Sequence, residues 1–320
     1  MKIVVLDGKG LAADDLNYDA FREFGEVTVY ENTSREDVVS RIGNSDVVIT
    51  NKVLLTKEVM DACPSVRLVL IMATGYNIID LEAATSRGIT VCNIPAYSTN
   101  TVAQYVFACM LSYCNKINEH NESVQRGDWI NSDTFSYRVA PLYELAGKTL
   151  GIVGFGAIGK AVAKIAKAFE MNVLVYSRTI YPQFESANLR FTDLNTLLEN
   201  SDFVSLHCPL TAVTQNLIGT EQLSLMKKSA MLINSSRGPV VNEQALADAL
   251  KEGKIAAAAL DVLVSEPMSD ACPLKDAPNC AITPHIAWAP LETRMRLMDI
   301  ALENLRAYLN GTPQNVVNNL

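Results

Sequence analysis

A glycine-rich turn and three titratable residues in the second half of the chain have the types and spacing for redox chemistry. Residues 148–159 read KTLGIVGFGAIG, an apolar run with β-branched Ile152 and Val153 that passes into Gly154, Gly156 and Gly159. The following AVAKIAKAFE repeats its apolar positions at helical spacing, so the stretch reads as strand, tight turn and helix. In that context Gly154 permits the turn, Gly156 lets backbone approach a pyrophosphate, and Gly159 lets the helix pack on the strand. The anion would rest on the unpaired amides at the helix start, around Ala157 and Ile158. An ordinary strand-to-helix turn is the plainer alternative, but the flanks match what dinucleotide binding requires. Further on, Arg237 in INSSRGPVV, Glu266 in LDVLVSEP and His285 in TPHIAWA each follow an apolar run. Each can therefore reach the same carboxyl edge of a sheet as the glycine turn. His285 can donate or accept a hydroxyl proton, and Glu266 bonded to its other ring nitrogen would favour the imidazolium and select the tautomer. Arg237 offers a planar fork of donors that can pair with a carboxylate and polarise a neighbouring carbonyl. Singly, such a histidine is usually a hydrogen-bonded core residue, and such an Arg or Glu half of a surface ion pair. Together with a dinucleotide they are the parts that reduction of a 2-keto acid requires.

These residues need a frame that lines up strand ends, and the chain is patterned for one. KIVVLDG, VTVYE, DVVITN, VRLVLIMA and TVCN read as strands, separated by helical stretches near 14–24, 35–43, 56–63 and 80–87. Alternation of this kind implies a parallel sheet covered on both faces. The loops Asn51-Lys52-Val53 and Ala73-Thr74-Gly75-Tyr76-Asn77 follow two of these strands, where ligands of open α/β sheets lie; Gly75 as a mere turn residue is the even alternative. After Pro95, Ser98 or Thr99 can cap a long helix from about 100 to 120, of a length that suits a connector. An irregular polar and aromatic segment, QRGDWINSDTFSYRVAPLYELAG, then leads to the glycine turn. NVLVYS, DFVSLH, AMLINSS, IAAAALDV and CAITPH continue as strands, with helical stretches such as NEQALADALKEG between them. The repeated grammar implies two doubly wound domains, the dinucleotide domain inserted after the first. LETRMRLMDIALENLRAYLNG reads as a last helix ending at Gly311, with Pro313 beyond, that crosses back to complete the N-terminal domain.

Composition sets limits. The chain has 320 residues, 49% of them hydrophobic, enough for about two domains. A net charge of −8 with scattered lysines gives no basic field for nucleic acid. Seven cysteines, an odd number without a C-x-x-C pair, read as buried thiols in a reducing cytosol. MKIVVLDGKG has an apolar run too short for a signal peptide or membrane span, so a cytoplasmic protein without membrane partners is expected, and no metal.

GIVGFGAIG, HCPLT, INSSRG, ALDV with SEP, and TPHIAWA occur in an order and spacing that resemble the D-isomer-specific 2-hydroxyacid dehydrogenases over nearly the full chain. The resemblance implies an α/β protein of two doubly wound parallel-sheet domains. One is a flavodoxin-like substrate domain, 1–98 plus 288–320; the other is a Rossmann dinucleotide-binding domain, 99–287. It implies that Arg237, Glu266 and His285 form the catalytic set. The substrate would be held by backbone around Val53, Gly75 and Tyr76, with Arg237 and Trp288. Cys208, Pro209, Thr214, Ser235, Ser236 and His285 correspond to positions along the cofactor, and Asp261 to one near the nicotinamide amide. ATGYNIIDLEAA and HIAWAPLETRMRLM are most similar to glycerate dehydrogenase or hydroxypyruvate reductase members. That branch implies NAD(P)H-dependent reduction of hydroxypyruvate or glyoxylate to D-glycerate or glycolate. Phosphoglycerate dehydrogenases commonly carry a C-terminal regulatory domain for which a chain ending at 320 leaves no room, and formate dehydrogenases have glutamine where Glu266 stands. Two alternatives stay open: a related enzyme for a bulkier keto acid, and a dinucleotide-sensing, corepressor-like binding protein. The family also implies a homodimer, and the 100–120 helix with Trp129 to Tyr143 offers an apolar surface for it.

The choice of cofactor turns on the end of NVLVY. An acidic residue there would accept hydrogen bonds from the ribose hydroxyls and repel a 2′-phosphate. This chain has Ser177-Arg178-Thr179 instead. Ser177 can donate to a phosphate and Arg178 can pair with it, so the charge logic favours NADP(H) over NAD(H).

Overall fold

A computed structural model describes residues 1–12 and 15–318. The chain divides into two compact units, Met1–Ser98 with Trp288–Leu320, and Thr99–Ala287. The first unit runs β1 (Lys2–Val5), α1 (Lys9–Ala12), β2 (Glu26–Val29), α2 (Val38–Ile42), β3 (Val47–Thr50), α3 (Lys57–Ala62), β4 (Leu68–Ile71), α4 (Leu81–Ser86) and β5 (Thr90–Cys92). Its strands are parallel in the order β2-β1-β3-β4-β5, the flavodoxin-like winding. Every position of β3, β4 and β5 is buried. Continuous apolar runs are what a strand covered on both faces requires.

The helix expected near 14–24 is not there. Its first position lies outside the described residues, and the remainder holds a 3-10 turn at Asp19–Phe24. Asn17 accepts the Asp19 amide through its side chain at 2.9 Å, a local bond that competes with an α-helical start.

The second unit runs α5 (Thr99–Asn115), α6 (Ile117–Gln125), β6 (Thr149–Val153), α7 (Ala157–Ala168), β7 (Asn172–Tyr176), β8 (Leu189–Phe191), α8 (Leu194–Asn200), β9 (Phe203–Leu206), α9 (Thr220–Leu225), β10 (Met231–Asn234), α10 (Glu243–Lys251), β11 (Ala257–Leu260) and β12 (Cys280–Ile282). The parallel order β12-β11-β10-β9-β6-β7-β8 is the Rossmann winding. Alternate strand residues face two cores. Ile152, Val173 and Ile233 meet Val106 and Met110 of α5 and Val162 of α7, whereas Val204, Leu206 and Leu232 meet Leu197, Leu223 and Leu246. The winding reverses between β6 and β9, so the loops after these strands flank the crevice where such sheets bind ligands.

One sequence reading is corrected in this unit, and one strand is added to it. The single helix expected over 100–120 is two helices broken at Lys116, which takes a left-handed φ of 49°. Asn115 turns its side-chain amide back onto the Leu111 carbonyl at 3.1 Å, and the chain leaves the first helix there. The edge strand β8 had no sequence signal, being two half-buried residues flanking the exposed Arg190 and paired in the sheet with β7.

The last helix, α11 (Leu291–Leu309), belongs to the first unit. Leu297, Ala301 and Leu305 pack against Ile3, Val5, Ile49 and Leu70, while Val38, Ile42 and Met60 cover the opposite face of that sheet. Gly311 follows α11 at φ 75°, its amide donating to the Tyr308 carbonyl at 3.0 Å, as the glycine signal implies.

Candidate active site

The glycine turn between β6 and α7 is tight on two sides and open on the third. Gly154 has φ +97°, and a Cβ on it would lie 2.8 Å from the Cys208 amide nitrogen and the His207 carbonyl. A Cβ on Gly159 would lie 2.2 Å from the Gly154 carbonyl oxygen, so helix and turn meet backbone to backbone. A Cβ on Gly156 would meet no atom within 4 Å. Gly156 is the N-cap of α7, whose first turn holds no acidic side chain. The amides around Ala157 and Ile158 therefore face open space at the positive end of a helix, the arrangement an anion needs.

The other residues expected along a dinucleotide follow the neighbouring strands. Ser235, just past β10, has a buried hydroxyl without a hydrogen-bond partner among the described residues. Cys208 is buried beneath the glycine turn, and burial pushes its thiol up from the ordinary value, so it packs rather than ionises. The Thr214 hydroxyl donates to the Pro209 carbonyl at 2.6 Å and accepts the Thr211 amide at 2.8 Å, which shapes the loop it was expected to serve. Ser177 and Arg178 lie just past β7, Ser177 half-buried and Arg178 exposed without a hydrogen-bond or ion-pair partner among the described residues. Lys160, in the first turns of α7, was not anticipated. Its ammonium stands 4.2 Å from the Tyr181 ring centroid and 5.2 Å from that of Phe184.

Glu266 and His285 meet directly. Glu266 Oε2 and His285 Nδ1 are 2.7 Å apart, with the side chains about one-third exposed. An ionised carboxylate can only accept, so Nδ1 carries the hydrogen and Nε2 is the nitrogen left for chemistry. Glu266 is held from its own loop by the Leu263 amide, 3.1 Å from Oε1. Val264, next along, donates its amide to Glu243 Oε1 at 2.6 Å, pinning the loop to α10. Arg237 is exposed, its Nη1 donating to the Ser236 carbonyl at 2.7 Å. The loop that presents it is knitted by Asn234, 1% exposed, which accepts the Ser236 amide at 3.0 Å and donates to the Arg237 carbonyl at 2.9 Å. The next residue, Gly238, brings this loop against that of Glu266: a Cβ there would lie 2.0 Å from the Leu263 carbonyl carbon. Asn234 and Gly238 lie inside motifs the sequence displays, but their tasks are tertiary contacts that no spacing encodes.

Asp261, expected near the nicotinamide amide, is 1% exposed. Its carboxylate accepts the Thr283 hydroxyl at 2.7 Å and the amides of Ile286 and Ala287 at 2.8 Å each, so it anchors the loop that carries His285.

In the first unit, Asp7 is the residue that sequence reasoning missed. From the end of β1 its carboxylate accepts the amides of Asn51, at 2.9 and 3.1 Å, and of Lys52, at 2.6 Å, across the β1/β3 reversal of the sheet. The Val53 amide makes a long 3.2 Å bond to the Thr50 hydroxyl. The Gly75-Tyr76 loop is fastened by Leu55, whose amide donates to the Ile78 carbonyl at 2.9 Å, and by Asn93, which donates to the Thr74 carbonyl at 2.7 Å. Tyr76 is 43% exposed, while Trp288 packs beside α11 on the core.

Residues 107–287 match the family described as D-isomer specific 2-hydroxyacid dehydrogenase, NAD binding domain. The chain is 46% identical to the hydroxypyruvate reductase of Blautia hydrogenotrophica, over 99% of this chain and 100% of that one. It is 42% identical to the glycerate dehydrogenase of Methylorubrum extorquens, over 99% and 98%. Among solved structures, the NADPH-dependent glyoxylate/hydroxypyruvate reductase of Sinorhizobium meliloti, in complex with NADP and malonate, superposes with a TM-score of 0.83 at 28% identity, over 99% and 96%. The chain belongs to the D-isomer specific 2-hydroxyacid dehydrogenase family.

Proposed function

We propose that the protein reduces a small 2-keto acid, hydroxypyruvate or glyoxylate, to the D-2-hydroxy acid, D-glycerate or glycolate, with a reduced nicotinamide dinucleotide. The observation that carries this reading is the 2.7 Å bond from His285 Nδ1 to Glu266, which directs the ring's exchangeable proton to Nε2. When bound, the dinucleotide supplies the hydride. His285 gives its Nε2 proton to the carbonyl oxygen as charge develops there, and Glu266 stabilises the ring in its protonated state. Arg237 pairs with the substrate carboxylate and polarises the adjacent carbonyl. The amides of Val53, Gly75 and Tyr76, together with Trp288, complete substrate binding; the Val53 bond to Thr50, at 3.2 Å, is one a carboxylate can compete for. The names of the two relatives and the solved structure above support the substrate class.

The cofactor reading favours NADPH over NADH, because no carboxylate follows β7 and Ser177 and Arg178 stand there instead. A homodimer and a cytoplasmic location are part of the same proposal; all seven cysteines are free thiols, and among the described residues no helix is long and apolar enough to cross a membrane. Initial rates of reduced-cofactor oxidation on hydroxypyruvate, glyoxylate, pyruvate and phenylpyruvate test it. Highest kcat/KM on hydroxypyruvate or glyoxylate is expected. A maximum on phenylpyruvate would assign the bulkier-substrate branch, and no turnover with tight dinucleotide binding would assign a sensing role.

A further inference from the structure

We propose that Tyr105, on α5, is a positioning residue for His285, acting through Thr283 and Asp261. The Tyr105 hydroxyl lies 2.6 Å from the Thr283 hydroxyl, which lies 2.7 Å from Asp261 Oδ1. The direction of these bonds follows from chemistry. A carboxylate only accepts, so the single hydroxyl hydrogen of Thr283 goes to Asp261, and Tyr105 must donate to Thr283. Burial pushes the Tyr105 phenol up from its ordinary value, which keeps it a donor at every working pH.

Downstream, Asp261 surrounds the backbone of His285. Its carbonyl accepts the His285 amide at 2.9 Å, and its carboxylate accepts the next two amides, of Ile286 and Ala287, at 2.8 Å each. His285 itself has a left-handed φ of 56°, a conformation that a side-chain-bearing residue keeps when its surroundings hold it. Thr283, Asp261 and the bonded amides all belong to the segments following β11 and β12. Tyr105, by contrast, comes from a helix on the face of the sheet, so it ties the His285 loop to the packed α5–α7 layer. A loop so tied presents Nε2 in one orientation, and misorientation of a proton donor costs rate more than binding.

This inference rests on the reading of His285 as proton donor. Tyr105→Phe removes one hydroxyl and keeps the ring. With the keto acid that the native enzyme turns over fastest, kcat is expected to fall roughly 3- to 10-fold, with KM for the keto acid nearly unchanged. Hydrogen exchange at the Ile286 and Ala287 amides should quicken in the same variant. Thr283→Val cuts the relay at its centre, so adding Tyr105→Phe to it should cost little more. Unchanged kcat, unchanged exchange, or losses that multiply in the double variant would each overturn the role. Should the native protein turn over no keto acid, the function proposed above fails, while exchange at Ile286 and Ala287 still decides whether the relay exists.

Discussion

His285 owes its proposed role to two constraints, a carboxylate at Nδ1 and a loop anchored beneath it. Replacing it with alanine removes the proton donor and leaves the glycine turn untouched. His285→Ala should lower kcat by a factor on the order of 10² or more, while dinucleotide affinity by fluorescence titration stays near native. Glu266→Gln keeps the shape but replaces the carboxylate with a neutral amide. Nδ1 loses the charged acceptor that fixes the ring, so kcat for reduction should fall while dinucleotide affinity holds. An unchanged kcat would disconnect the pair from the chemistry. His207 is a different case. Burial pushes it from 6.5 down to about 4, with Nε2 2.9 Å from the Ser205 hydroxyl. The folded value lies below the unfolded one, so between them the unfolded chain binds more protons, and stability falls as pH drops through that window. The loss should be on the order of 3 kcal/mol. Urea midpoints near neutrality and near the lower end of the window, for the native protein and His207→Gln, measure it; the variant should show the flatter dependence.

At the scale of elements, strand ends decide the chemistry. The turn after β7 holds Ser177 and Arg178 where a carboxylate would select NADH. Ser177→Asp should therefore shift the ratio of kcat/KM values for NADPH and NADH toward NADH, by repulsion of the 2′-phosphate. A native enzyme that already prefers NADH tenfold would show that Arg178 points away from the ribose. Elements also show where local pattern misleads. The apolar periodicity of 99–125 continues past Lys116 although the helix does not, because one left-handed residue breaks the helix without changing the hydrophobic spacing. β8 escaped notice because an edge strand buries too little to require an apolar run.

For the whole molecule the expected partner is a second copy. Ile130 and Phe135 are 88% and 93% exposed in a segment without helix or strand, and Trp129 is 51% exposed. The groove between α5 and α7, lined by Phe107, Leu111, Ala161 and Ile165, has a volume of ≈ 620 Å³. Apolar surface of this kind is where the proposed second copy is expected to pack. Sedimentation at micromolar concentration should give a dimer, and Phe135→Asp should weaken it; a native monomer would refute the assignment.

What the sequence by itself determined is the part that depends on neighbours in the chain. Strands buried on both faces must be unbroken apolar runs, so the alternating α/β order and the last helix were legible. The glycine turn was legible too, since its three glycines and its flanks are contiguous. Arg237, Glu266 and His285 stood out because each follows a run that could only be a strand. Strand order, however, is a property of the sheet, and the contacts that make the site depend on it. Asp7 reaches Asn51 across 44 residues, and Tyr105 reaches Thr283 across 178. Only the tertiary structure could pair them, because hydrogen-bond partners are chosen by adjacency in space, whereas the residues themselves are ordinary polar types with no local signal.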